Sequence, residues 1–542
     1  MTPRKQPPAR TLRDRPDLAQ IKRQAKELLK AYAAGEADAA TEVNAHYRGA
    51  SPASFALHDA QLVLARSYGF LSWPKLKAFV DGVTVRRLCD AVREGDLDGV
   101  KAMLAVRPEL VHLDLAENDE HRALHHAVLQ RRPDMVRLLM QHGADARKGI
   151  WPHRDATSPL TIASDRGYTD IVDIIQDEER RRSRAPVPGS DAPVAANPAE
   201  QNGVTALHQA IAAGDASWLR ARHEEGALAS QRRLVTHAVT SGRPEMLVLL
   251  LDLGLDPDER ERVEELEEVV FSWGEPLRQC AISGQPVMAE ILLKHGASAN
   301  TNVYAASSAM YEAYARKDWA TVRLLEGHGG VVNATTAGYL GLADRATQLL
   351  EDEAAGRVDG EVVPPGGSVA TALLESAADG GHVELVRMAL DHIEWRPGDV
   401  RWHWMLMRPL GRHSASERDR YLACFRMILE RSGADVPGRS GRTLLHDVAA
   451  AWPRPAMGPE ERVAFATTLL DAGARIDVRD DLLKSTPLGW ACRWGRVELV
   501  TLLLERGADP TEADGEPWAT PKAWAEKMGH DPVLAVLREH SQ

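Results

Sequence analysis

Apolar residues in this chain come in short bursts at helical spacing. Leu18, Ile21, Ala25, Leu28 and Leu29 share one face of a 3.6-residue period and predict an amphipathic helix. A second helix is expected from Ala37 to Tyr47 and a third from Ala53 to Tyr68. Gly69 breaks the third, and Lys75 to Val80 restarts a short one. These elements define a helical region over residues 16–82, behind a Pro-rich basic stretch, residues 1–15, expected to be a disordered tail. From about residue 85 the pattern changes. Pairs of short apolar bursts follow one another, split by Gly and closed by polar turns, and predict a long series of helix–turn–helix units.

The bursts are copies of one another. Thr486-Pro487-Leu488 runs through Gly495 to Val500-Thr501-Leu502-Leu503-Leu504 and Gly507-Ala508-Asp509, and a second Thr-Pro start, Thr520-Pro521, follows 34 residues after the first. Arg122-Ala123-Leu124-His125 leads in the same phase to His142-Gly143-Ala144-Asp145. Glu275-Pro276-Leu277 leads to His295-Gly296-Ala297, and Thr443-Leu444-Leu445-His446 to Ala472-Gly473-Ala474. Weaker copies begin near Arg87, Arg233, Ser308, Gly338, Ala372 and Trp404. Each feature has a physical role. Thr caps free N–H groups and Pro suits the first helical turn. Gly allows the left-handed turn that ends the first helix. No unit can bury its apolar face alone, so the array must stack.

The pattern resembles the ankyrin family. The resemblance implies an all-α solenoid of roughly eleven to thirteen units with an N-terminal helical cap. Ala65-Arg66-Ser67-Tyr68-Gly69-Phe70-Leu71-Ser72-Trp73-Pro74 looks like a module at the front of some bacterial ankyrin proteins. The expected organisation is a first subarray over 85–182, a Pro-rich linker over 183–202, a second subarray over 203–354, a Gly/Pro loop over 355–369, and a third subarray over 370–542. The third carries an aromatic insert, 393–416, read as a lengthened hairpin loop.

Composition narrows the function. The net charge of −12 argues against nucleic-acid binding, which depends on Lys and Arg neutralising phosphates. No stretch reaches about 18 uninterrupted apolar residues, so no membrane partner is expected. Cys89, Cys280, Cys424 and Cys492 lie far apart and read as reduced thiols of a cytoplasmic protein, with Cys280 and Cys492 in slots where small residues pack between helices and so expected to be buried. The common nucleotide, zinc-protease and serine-hydrolase motifs are missing, and no cofactor or metal is expected. Gly327-His328-Gly329-Gly330 reads as a degenerate repeat end, and the acidic run Glu259 to Glu268 as a solvated helix face.

By resemblance, certain first-helix positions project toward a concave groove. At the C-terminal end these are Asp447, Trp490, Arg493, Trp494, Trp524 and Lys527, with Trp402 and Trp404 in the insert nearby. Large aromatics and cations are the composition of binding hot spots. Eight of the thirteen Trp lie from Trp395 onward, which makes this stretch the expected site for a protein or peptide partner. The competing reading of the same Trp is a packed cap. The alternative function is an enzyme or small-molecule receptor in the groove, with acid–base candidates His126, Asp165, His237, Glu312, Asp379, His403 and Asp447.

Overall fold

The computed structural model describes residues 10, 17–47, 51–52, 54–70, 72–114, 120–150, 153–154, 156–184, 198–263, 271–304, 306–358, 367–410, 415–450 and 457–541. The chain forms two compact units, Met1–Ala309 and Met310–Gln542. Thirty α-helices occur among the described residues. The first four, Leu18–Ala33, Ala37–His46, Leu57–Ser67 and Trp73–Val80, form the N-terminal module. The rest pair off in order from Val85–Glu94 to Asp531–His540. The last pair of the first unit is Glu275–Ser283 with Pro286–Lys294.

The N-terminal module has two small cores. Ile21, Ala25, Leu64, Tyr68, Phe70 and Leu76 form one, and Leu28, Tyr32, Val43, Phe55 and Val63 the other. Asp17 caps the first helix by accepting from the Ala19 N–H. Arg107, 2% exposed, ties the module to the first helix pair. Its Nη1 donates to Val83 O at 2.7 Å, and its guanidinium lies over the Phe79 ring.

The paired helices follow the expected chemistry. Thr486 and Thr520 cap their helices from Gly489 N and Ala523 N, with Pro at the first turn. Asp96, Asp215 and Asp318 cap the second helices of their pairs. The turn glycine does two jobs. Gly495 has φ +65°, which favours glycine, and an added Cβ would stand 2.8 Å from the ring of His530 in the next pair. The space is kept because His530 Nε2 donates across it to Arg493 O at 3.1 Å. Gly341 and His382 repeat the arrangement, His382 Nε2 reaching Tyr339 O at 2.9 Å. In the first unit Arg132 does the same with Arg93 O, while His237, inside its own first helix, reaches His208 O in the middle of the preceding one. At the His530, His382 and Arg132 junctions neighbouring pairs are thus pinned at the C-terminal end of the first helix, in addition to their apolar contact.

Several expectations need correcting. The insert is not a lengthened hairpin loop. Arg401–Met407 is itself the first helix of a pair, continued by a 3-10 turn Arg408–Leu410 and followed by Arg418–Ser432. Trp402 is fully buried and anchors it, its Nε1 donating to Arg396 O at 3.0 Å while Trp395 packs edge-on. Helices also invade both expected linkers: Thr169–Arg184 and Pro198–Ala213 enter 183–202, and Val369–Gly380 begins inside 355–369. The centres of those linkers, 185–197 and 359–366, lie outside the described residues, as do 411–414 of the insert and all of the expected tail but Arg10. The acidic run is not a helix face. Glu261–Arg262 pairs antiparallel with Phe271–Ser272, and residues 264–270 lie outside the described set.

Candidate functional site

In the second unit the first helices stack in order: Ala334–Leu340 on Val369–Gly380, then Arg401–Met407, Leu444–Ala450, Pro487–Arg493 and Pro521–Met528. Their side chains form a run of alternating carboxylates, cations and indoles. Arg408 pairs with Glu375, comes within 3.9 Å of Asp379, and stacks on the Trp404 ring. The His403 ring lies between Val436 O at 3.2 Å and Asp447 Oδ2 at 2.9 Å. The second oxygen of Asp447 meets Arg442 at 3.2 Å. His403, Asp447 and Arg442 are all buried.

Beyond Arg442 come the indoles. The Arg442 guanidinium lies over Trp490, Trp490 packs on Trp494, and Arg493 sits over both Trp494 and Trp524. Trp490 and Trp524 are completely buried, so the expectation that their rings stand out on the groove side is corrected. Their N–H groups are used inside the protein: Trp490 Nε1 donates to Asp480 Oδ1 at 2.8 Å, and Trp524 Nε1 to Ser485 Oγ at 2.7 Å. The residues that reach solvent at this end include the half-buried Trp494 and the exposed Lys527 and Met528. Trp404 is half-buried further along the row.

The acid–base candidates fall in both units. His126, Asp165 and His237 belong to the first, and Glu312, Asp379, His403 and Asp447 to the second. His403 and Asp447 are within hydrogen-bonding reach, but at 6% and 2% exposure they face protein and not an open pocket. The repeated His slot is structural. His446 Nδ1 accepts from Thr443 N, and its Nε2 donates to Ser485 O. Burial holds its pKa below the ordinary value, and burial does the same to His125. No cluster able to hold a metal ion occurs among the described residues. Burial pushes the Cys280 and Cys424 thiols up to about 12.

Sequence reasoning missed two carboxylates that hold loops. Asp480, 1% exposed, accepts from Leu482 N, Leu483 N, Ser485 N and Trp490 Nε1. Glu512 sits at φ 43° and binds Thr486 Oγ1 and Arg479. Glu259, at the same step of a repeat in the first unit, has the same φ and accepts from Val235 N at 2.6 Å and Thr236 N at 3.1 Å. The shared phase was a usable signal: Gly254-Leu255-Asp256-Pro257-Asp258-Glu259 parallels Gly507-Ala508-Asp509-Pro510-Thr511-Glu512.

Burial raises the Glu512 pKa above its ordinary 4.5, outweighing its bonds to Thr486 and Arg479. A raised carboxyl is protonated in the folded chain at pH values where the unfolded chain is already ionised. Its contribution is therefore fully present below the unfolded value and is lost as pH rises through the folded one. For Glu512→Gln, the melting temperature relative to wild type should rise between pH 4 and pH 7. A relative fall over that range, read by thermal melts, would show that the Arg479 pair outweighs the desolvation.

A family model described as ankyrin repeats, in three copies, matches residues 88–181 and 413–514. The chain carries ankyrin repeats. Within those spans the helix pairs are the ankyrin units, and the fold is an all-α repeat architecture. Two curated mouse proteins share the likeness. Protein phosphatase 1 regulatory subunit 27 is 39% identical over 85 residues, 15% of this chain and 51% of that protein. Ankyrin repeat and SOCS box protein 6 is 38% identical over 95 residues, 18% of this chain and 19% of that protein. The chain thus matches about half of the first relative and about a fifth of the second. Among the described residues no helix is long and apolar enough to cross a membrane.

Proposed function

We propose that this ankyrin chain is a binding scaffold, and that it takes a protein or peptide partner on the first-helix row of its second unit, around Trp494, Lys527 and Trp404. The observation that carries the reading is the layering of that row. Half-buried Trp494 and exposed Lys527 and Met528 rest on a buried lattice of Trp490, Arg493 and Trp524. A partly exposed indole held in place by packed neighbours loses little side-chain freedom on binding, as a hot-spot residue should. The family adds weight, since one relative is by name the regulatory subunit of a protein phosphatase and so works alongside another protein. Trp490, Trp524, Trp402 and Asp447 act as supports beneath the contact surface.

Cross-linking from Lys527, with mass spectrometry, would identify the partner, and calorimetry with the purified partner tests the place. Trp494→Ala with Lys527→Glu should weaken binding by about tenfold or more while helicity stays intact. Unchanged affinity would reject this location.

A further inference from the structure

The second unit carries an aromatic cluster apart from the residues around Trp494. Trp319 opens the helix Trp319–Gly327 and is 48% exposed, although indoles are mostly buried in folded chains. Its ring packs edge-on against Tyr314, with centroids 5.5 Å apart. Tyr311, on the same helix as Tyr314, packs edge-on against Tyr339 of the next helix pair at 5.9 Å. The three tyrosines are half-buried and brace the cluster, while Trp319 stands in solvent.

The turn that delivers Trp319 is cationic. Arg316 and Lys317 are exposed and make no ion pair among the described residues. The turn's own carboxylate is engaged elsewhere: Asp318 caps the helix, accepting from Thr321 N at 3.2 Å and Thr321 Oγ1 at 2.6 Å. The neighbouring carboxylates Glu312 and Glu326 pair with neither cation.

The backbone adds an independent observation. Lys317 lies at φ +57°, in a left-handed slot that the flanking units fill with Gly284 at +62° and Gly341 at +69°. A side chain there costs the fold stability that glycine would not, and such strain gathers at functional places. In the first unit Arg131 fills the slot at φ +49°, but its side chain is used inside the protein, over the Tyr168 ring and 3.9 Å from Asp170. Lys317 makes no such contact.

We propose that the Trp319 turn is a second contact surface, which takes an acidic peptide segment of a partner protein. Trp319 meets an apolar or aromatic side chain of that segment, and Arg316 and Lys317 meet the carboxylates flanking it. Charge complementarity with two unpaired cations selects this occupant. The surface lies in repeats other than those of Trp494 and does not rest on the role proposed for them.

The test selects a displayed library of random short peptides on the immobilised full chain. Peptides held by wild type and lost on both Trp319→Ala and Lys317→Gly should be rich in Asp and Glu around an apolar or aromatic residue. Synthesised and titrated by calorimetry, they should bind Trp319→Ala about tenfold more weakly or worse, bind Lys317→Arg as they bind wild type, and weaken as salt rises. Lys317→Gly should meanwhile raise the melting temperature, because glycine relieves the turn. A lowered melting temperature would show that the lysine serves the fold, and would overturn the proposal. So would a Trp319-dependent class of peptides that is basic or uncharged, or no class that depends on Trp319. Dimers seen by analytical ultracentrifugation and lost in Trp319→Ala would overturn it in favour of a second copy of the chain.

Discussion

Asp480→Ala should destabilise the C-terminal repeats by about 3–5 kcal/mol, because it strands several buried donors at once. The carboxylate gathers three backbone N–H groups of its own loop and the indole N–H of Trp490, at distances of 2.7 to 3.2 Å. None of these donors gains water when the carboxylate goes, since Leu482, Leu483, Ser485 and Trp490 are all buried. The loss should show as a lower urea midpoint and as faster hydrogen exchange over residues 480–494. Asp480→Asn keeps one acceptor oxygen and should cost roughly half as much. If the two substitutions cost the same small amount, the loop is held by its leucines and not by the carboxylate.

Asp447→Ala should cost a similar amount, about 3–5 kcal/mol, by a different route. Asp447 answers two groups, His403 from the preceding repeat and Arg442 at the head of its own, and all three are buried. Removing the carboxylate leaves the Arg442 charge buried without the partner that offsets its desolvation. Asp447→Asn keeps the shape and a hydrogen-bond acceptor for His403 but loses the charge, so it should fall between alanine and wild type. Because the pair is shielded from solvent, the penalty should change little between low and high salt. A penalty that vanishes in high salt, measured by denaturant titration, would place the interaction at the surface.

The repeat was legible because its signals are local. Thr-Pro starts, turn glycines and apolar bursts sit within one unit, and each acts on residues a few positions away. The helix Arg401–Met407 was only partly legible for the same reason: a weak repeat copy shows near Trp404, but the stretch around it reads as an insert. The helix has no side-chain cap, being preceded by Val400, and its Pro- and Gly-rich approach reads as loop. The sequence pattern put Trp490 and Trp524 in the right helices but could not give their depth. That depth depends on Asp480 and Ser485, which reach the indoles only after the intervening loop has folded back. The pairing of His403 with Asp447 spans 44 residues and leaves no local mark. For the same reason the Arg10 contact with Glu42, 32 residues away, was invisible among the basic residues of the N-terminus.

All four thiols are buried and reduced, one in each of four separate helix pairs: Cys89, Cys280, Cys424 and Cys492. A buried, protonated thiol reacts with an alkylating reagent only while its surroundings are open. The native chain therefore carries its own set of spaced clocks. Timed alkylation followed by peptide mass analysis would read how often each stretch of the array opens, without altering a residue. The same shielding leaves the folded surface chemically silent toward maleimides, so a single cysteine introduced at an exposed position could be tagged in the otherwise natural chain.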